Sequence, residues 1–209
     1  MEIKEKPVAT IEELENDEMN GMSEKDTKKK KRKFRTIDVV YIGLFAALIA
    51  VCSWVSIPLT VPITLQTMGV CITAGLLGTK RGTISVLVYI ALGLVGVPVF
   101  ASFKSGAGVL LGSTGGYIIG FIFTALIVGV MVSRLGSKLW VYAVSMVLGI
   151  AVCYVFGTAW FIVVYNNSNA DAVSLATVLG WCVTPFIIPD LVKIALSTVI
   201  CTKLKRFVK

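Results

Sequence analysis

The chain contains no histidine among its 209 residues. That absence removes Ser-His-Asp and Cys-His catalysis, His-ligated zinc and His-ligated haem. Acidic side chains are nearly as scarce beyond the amino-terminal stretch, since residues 37–209 contain only Asp38, Asp171 and Asp190. The five cysteines, Cys52, Cys71, Cys153, Cys182 and Cys201, lie in apolar runs, and none forms a C-x-x-C pair. They read as buried thiols, not as a disulfide or metal framework. A phosphate-binding loop is also missing, because Phe103 precedes Lys104-Ser105 and no glycine stands at the required spacing. The expectation is a chain with no catalytic residue, no metal and no cofactor of its own.

What is present is apolar. Hydrophobic residues make up 56% of the chain and charged ones 15%, against about a quarter in a soluble domain; mean hydropathy is +0.85. Residues 1–36 hold 9 of the 12 acidic and 10 of the 20 basic side chains. The composition is that of an integral membrane protein of the cell membrane behind a polar tail. Residues 1–36 are expected to be a disordered cytoplasmic tail, ending in the basic run Lys28-Lys29-Lys30-Lys31-Arg32-Lys33. Residues 37–209 form the membrane domain. The net charge of +8 could suggest nucleic acid, but the surplus flanks apolar segments, so it reports topology in a lipid bilayer and no nucleic-acid partner is expected.

Six apolar segments follow, at about 37–57, 63–79, 82–98, 109–133, 139–165 and 179–202. A hydrocarbon core about 30 Å thick needs roughly 20 helical residues. The second and third segments are short and must sit obliquely or be shielded. Lys80-Arg81, the pair Arg134 and Lys138, and the terminal Lys203, Lys205, Arg206 and Lys209 mark one side. The alternate connections carry few charges. The positive-inside rule then predicts an all-α polytopic protein with six transmembrane helices and both termini cytoplasmic.

Within the first segment Ala46 and Ala50 stand one turn apart, a spacing that lets another backbone approach, either inside the bundle or from another membrane subunit. Gly112, Gly116 and Gly120 repeat that spacing and read as packing. The last segment contains Pro185, Pro189, Asp190 and Lys193. Intramembrane charge costs roughly 2.5–3.5 kcal/mol on insertion scales, so these side chains need a partner or a function. Asp190 and Lys193, at i and i+3, share a helix face. They read as a pair facing a polar ligand pocket or, in the alternative, as a self-satisfying structural ion pair, with the helix proper starting near Pro189 below an irregular stretch. Lys104 supplies a second charge from the same outer side. Its surroundings, residues 98–117, are too apolar for a solvated loop and too rich in glycine for a clean helix. There Phe100, Phe103 and Tyr117 offer flat apolar contact.

Four stretches carry a resemblance: Val61-Pro62-Ile63-Thr64-Leu65-Gln66-Thr67-Met68-Gly69, Leu92 to Phe100, Leu110-Leu111-Gly112-Ser113-Thr114-Gly115-Gly116-Tyr117, and Ile188-Pro189-Asp190-Leu191-Val192-Lys193. Over roughly residues 37–205 the chain resembles BioY, the biotin-specific S component of energy-coupling factor (ECF) transporters. The resemblance implies a non-enzymatic six-helix protein that binds biotin from outside and docks on a transmembrane T component carrying two cytoplasmic ATPases. It implies that Ala46 and Ala50 face that T component. It makes Asp190 and Lys193 ligand-site residues, with Lys104, Ser105 and Gln66 in stretches that contribute contacts. After Gly-Gly-Tyr the family sometimes has arginine, where this chain has Ile118. Biotin's chemistry suits the inventory: ureido N–H groups want an acceptor such as Asp190, the rings want aromatic walls, and the carboxylate wants Lys104 or Lys193. An S component for another vitamin, a purely structural subunit and an intramembrane enzyme using Asp190 are the alternatives.

Overall fold

A computed structural model describes residues 35–57, 59, 61–168 and 174–207. The expected tail up to residue 34 and Asp171 lie outside the described residues. Helix α1 (Thr36–Trp54) carries Asp38 in its first turn, where a carboxylate suits the positive end of the helix dipole. A two-residue ribbon follows, β1 (Ser56–Ile57) antiparallel to β2 (Ile63–Thr64), with Ser56 opposite Thr64 and Ile57 opposite Ile63. This ribbon is the one departure from the all-helical expectation among the described residues.

The second and third apolar segments form one element, α2 (Gln66–Val95), broken at Gly78. Gly78 has φ +74° and ψ −170°, a conformation open to glycine alone. The break is a reversal. In a straight helix Gln66 and Tyr89 would lie roughly 34 Å apart, yet the Gln66 amide donates to Tyr89 Oη at 2.7 Å. A Cβ on Gly82 would come within 2.9 Å of the Ala74 Cα, so the two arms lie antiparallel. The first arm, residues 66–77, reaches about 18 Å, short of a 30 Å hydrocarbon core. Residues 69–77 are all buried, so protein shields this arm from lipid. Its last carbonyls lose their helical donors at the break, and Lys205 Nζ takes their place, at 2.8 Å from the Leu76 oxygen and 3.4 Å from that of Gly75. Burial lowers the Lys205 pKa below the ordinary lysine value.

Beyond α2, a 3-10 turn (Ala101–Phe103) and a short helix α3 (Ala107–Leu111) lead into α4 (Gly115–Leu135) and α5 (Leu139–Ser168). The segment expected at 109–133 is therefore split by Gly112-Ser113-Thr114. Helices α4 and α5 approach closely through glycine: a Cβ on Gly116 would sit 2.2 Å from Trp160 Cβ, and one on Gly120 would sit 2.9 Å from Cys153 Sγ. The packing expectation for those glycines holds, and Trp160 Nε1 also donates to the Gly112 carbonyl at 3.0 Å.

The chain ends in α6 (Leu175–Cys182) and α7 (Thr184–Leu204). The expected helix start near Pro189 is displaced. The interruption falls at Val183 (φ −122°, ψ −53°), Pro185 occupies the first turn of α7, and Pro189 lies inside it. Proline suits a first turn because its missing N–H would be unpaired there anyway.

Among the described residues five stretches are long and apolar enough to cross a membrane, with α6 and α7 counted as one. The two arms of α2 bring the membrane segments to six, the first arm being too short to cross by itself. Their outward surfaces are bare hydrocarbon, for example Val39, Val40 and Leu44 on α1 and Ile188, Leu191 and Val192 on α7. Lipid covers such faces at no hydrophobic cost.

Candidate functional site

A cavity of about 410 Å³ opens at the end of the bundle away from the Gly78 reversal. Its size is that of a small-molecule site. The loop between β1 and β2 lines it with Leu59, Val61 and Pro62; Thr64 of β2, the start of α2, the 100–114 segment, α4, α5, the end of α6 and α7 complete it. Phe100, Tyr117, Phe121 and Phe186 give it aromatic walls. Phe100 is held rigidly, since its ring fills the space where Gly93 would carry a side chain and stands edge-on to Tyr89 at 5.7 Å. The Tyr117 ring lies on Gly157.

At the base of the cavity Lys193 Nζ donates to Asp190 Oδ1 at 2.7 Å. The two residues are only 2% and 5% exposed. A buried carboxylate needs more than one donor, and it has them. Thr67 Oγ1, from the first arm of α2, donates to Asp190 Oδ1 at 3.2 Å. Tyr154 Oη, from α5, donates to Asp190 Oδ2. Lys193 Nζ also reaches Thr67 Oγ1 at 3.4 Å. Gln66, at the start of α2, is tied by its amide to Tyr89, whose hydroxyl donates to the Val99 carbonyl at 3.2 Å. That chain of bonds anchors the segment leading to Phe100.

Asp190, Lys193, Lys104, Tyr117, Phe100 and Gln66 thus line one cavity. Phe103 and Ser105 are not among its lining residues. Phe103 stacks on Trp54 at 5.1 Å between ring centroids, and Trp54 Nε1 donates to the Pro98 carbonyl at 2.8 Å. Ser102 and Phe103 both have φ +57°, a left-handed turn that non-glycine residues rarely adopt. That turn delivers Lys104 to the cavity mouth, where it is exposed; among the described residues no carboxylate pairs with it.

Ala46 and Ala50 are 1% and 6% exposed. They pack inside the bundle and do not face outward, whereas the resemblance implied that they meet the T component. The small residues that α1 does present outward are Gly43 and Ala47, and a Cβ on Gly43 would meet nothing within 4 Å.

Sequence reasoning missed Thr67 and Tyr154. Thr67 follows Gln66 in a stretch already singled out. Tyr154 sits in the long apolar run of α5, and its hydroxyl was the available signal, since a buried aspartate calls for donors from elsewhere in the chain.

Three comparisons bear on the chain as a whole. The BioY family model matches residues 25–209. The chain is 40% identical over 169 residues to the biotin transporter BioY of Thermotoga maritima, covering 80% of this chain and 95% of that protein. It is 35% identical over 180 residues to the biotin transporter BioY of Rhodobacter capsulatus, covering 81% and 94%. Among solved structures, the 2.1 Å crystal structure of the S component for biotin from an ECF-type ABC transporter matches with a TM-score of 0.73 at 31% identity, over 81% of this chain and 90% of that one.

Proposed function

The chain belongs to the BioY family, and from that premise we propose that it captures biotin from outside the cell as the substrate-specific subunit of an ECF transporter. It is a multi-pass protein of the cell membrane, and it works by binding, not by turnover. Uptake is driven by a T component and two cytoplasmic ATPases, with both termini of this chain on their side.

The observation that carries the reading is the charge balance of the cavity. Two lysines and one aspartate line it, a net surplus of one positive charge, set among aromatic walls. Such a site suits a monoanion that also brings N–H donors and an apolar ring. The same balance orients the ligand. Lys193 is neutralised by Asp190 at 2.7 Å, and a ligand carboxylate placed there would also face the Asp190 carboxylate. The ureido ring therefore sits deep, with an N–H on Asp190 and its carbonyl toward Lys193. The carboxylate sits at Lys104 near the mouth.

For docking, the outward small residues Gly43 and Ala47 replace Ala46 and Ala50 as the place where a partner helix approaches. The test of the function is calorimetric titration of the purified chain with biotin, thiamine and riboflavin. Binding of biotin alone is expected; preference for either other vitamin overturns the reading.

A further inference from the structure

We propose that Tyr154 and Thr67 are positioning residues for ligand capture, their hydroxyls clamping the Asp190 carboxylate so that one acceptor position is left for the ligand. The inference rests on the biotin-binding reading and deepens it.

An ion pair at i and i+3 on one helix leaves its carboxylate free to turn about its own side-chain bonds. Here the turning is blocked from two other elements. Thr67 comes from the shielded first arm of α2 and holds Oδ1 at 3.2 Å. Tyr154 comes from α5 and holds Oδ2. With Lys193 on Oδ1 at 2.7 Å, three donors from three elements meet on one carboxylate. Thr67 joins the set on both sides: its hydroxyl donates to Asp190 and accepts from Lys193 Nζ at 3.4 Å, which uses both capacities of a hydroxyl. All four side chains line the cavity.

A carboxylate offers about four lone-pair sites. Three are filled, so the remaining one lies on Oδ2 beside the Tyr154 bond. A ligand N–H that takes it meets an acceptor whose plane is already fixed, and no side-chain freedom is lost on binding. The clamp also keeps the buried charge satisfied before the ligand arrives, which a lone lysine would not do. The reversal at Gly78 has a role in this arrangement, because it folds the first arm back into the bundle where Thr67 can reach α7.

The experiment is biotin titration of the full chain in detergent with Tyr154→Phe, Thr67→Val, Thr67→Ser and Asp190→Asn, and with Tyr154→Phe combined with Asp190→Asn. Each single variant alters a few atoms and conserves shape. Tyr154→Phe and Thr67→Val are expected to weaken binding about tenfold each, whereas Thr67→Ser, which keeps the hydroxyl, stays within about twofold. On the Asp190→Asn background Tyr154→Phe should cost less than about threefold, because the group it acts through is already altered. A loss carried undiminished onto that background overturns the clamp. So does Thr67→Ser binding as poorly as Thr67→Val, an outcome that remains readable if the double variant binds too weakly to titrate. An unaltered chain that binds no biotin overturns the function reading itself. That failure is distinct, because failure of the clamp alone leaves wild-type binding intact.

Discussion

Two ion pairs of nearly equal length stand at opposite ends of a bundle that is otherwise poor in charge. Asp190 and Lys193 pair at 2.7 Å within one helix. Asp38 and Arg81 pair at 2.6 Å between α1 and the second arm of α2. The first pair is sealed from solvent, lines a cavity and receives two further hydroxyl donors. The second lies near the Gly78 reversal outside the cavity, with the arginine side chain 32% exposed. Charge and length are shared, so neither accounts for the difference. What separates a ligand site from a fastening is the surroundings: unfilled space and convergent donors in one case, partial hydration and a link between two elements in the other.

The largest effect is expected from Lys193→Met, which leaves Asp190 buried beside its hydroxyl donors without a counter-charge. Removing one partner of a sealed pair costs about 3 kcal/mol or more, so both the melting temperature of the ligand-free protein and its biotin affinity should fall. Unchanged values would place the lysine outside any pair that matters.

The scaffold offers the next contrast. Ala46→Leu overfills the buried face of α1 and should destabilise the chain by about 1–3 kcal/mol. Gly43→Leu, on the outward face, should leave biotin binding by purified protein intact and abolish uptake by cells. The reverse pattern would return the docking face to Ala46 and Ala50.

A smaller effect separates the two lysines of the cavity. Lys104→Met should reduce biotin affinity about tenfold, or about 1.4 kcal/mol, while sparing thermal stability. It should also remove any preference for biotin over its uncharged amide, as titration of both compounds would show. A retained preference would assign the carboxylate to Lys193.

The smallest effect belongs to the second ion pair. Asp38→Asn keeps volume and loosens a partly hydrated contact worth about 1 kcal/mol or less. A slight drop in melting temperature with unchanged affinity is expected. A loss of affinity would mean that the two ends of the bundle are coupled and that the contrast between them fails.

The legible parts of this molecule are those in which a local cost demands an explanation. Two charges at i and i+3 in an apolar run declared the Asp190–Lys193 site, because burying them unaided is expensive. The count of six spans was legible from the placement of charge, although Lys80 and Arg81, expected to join the second and third segments, lie within the second arm of α2. The reversal itself, two residues earlier at Gly78, was not, since one glycine in a helix-like run carries no signal of its φ. Tyr154 and Thr67 were hidden because an uncharged hydroxyl inside a span has no large cost to explain, and its partner lies 36 or 123 residues away. The α1 face was ambiguous by construction. Gly43 with Ala47 and Ala46 with Ala50 have identical spacing, and tertiary packing alone decides which pair is covered. The start of α7 was misplaced because Pro189 reads as a first-turn proline, whereas here it stands about a turn and a half into the helix.

The central claim is that Asp190, held by its neighbours, receives a ureido N–H of biotin. Asp190→Asn keeps the volume, removes the charge and presents an NH₂ group where an acceptor stood. Calorimetric titration of biotin into this variant beside the unaltered chain tests the claim most directly. A charge-assisted hydrogen bond contributes roughly 1.5–3 kcal/mol, so affinity should fall about ten- to a hundredfold. Unchanged affinity together with a lowered melting temperature would show Asp190 to be a strut of the bundle and would contradict the account.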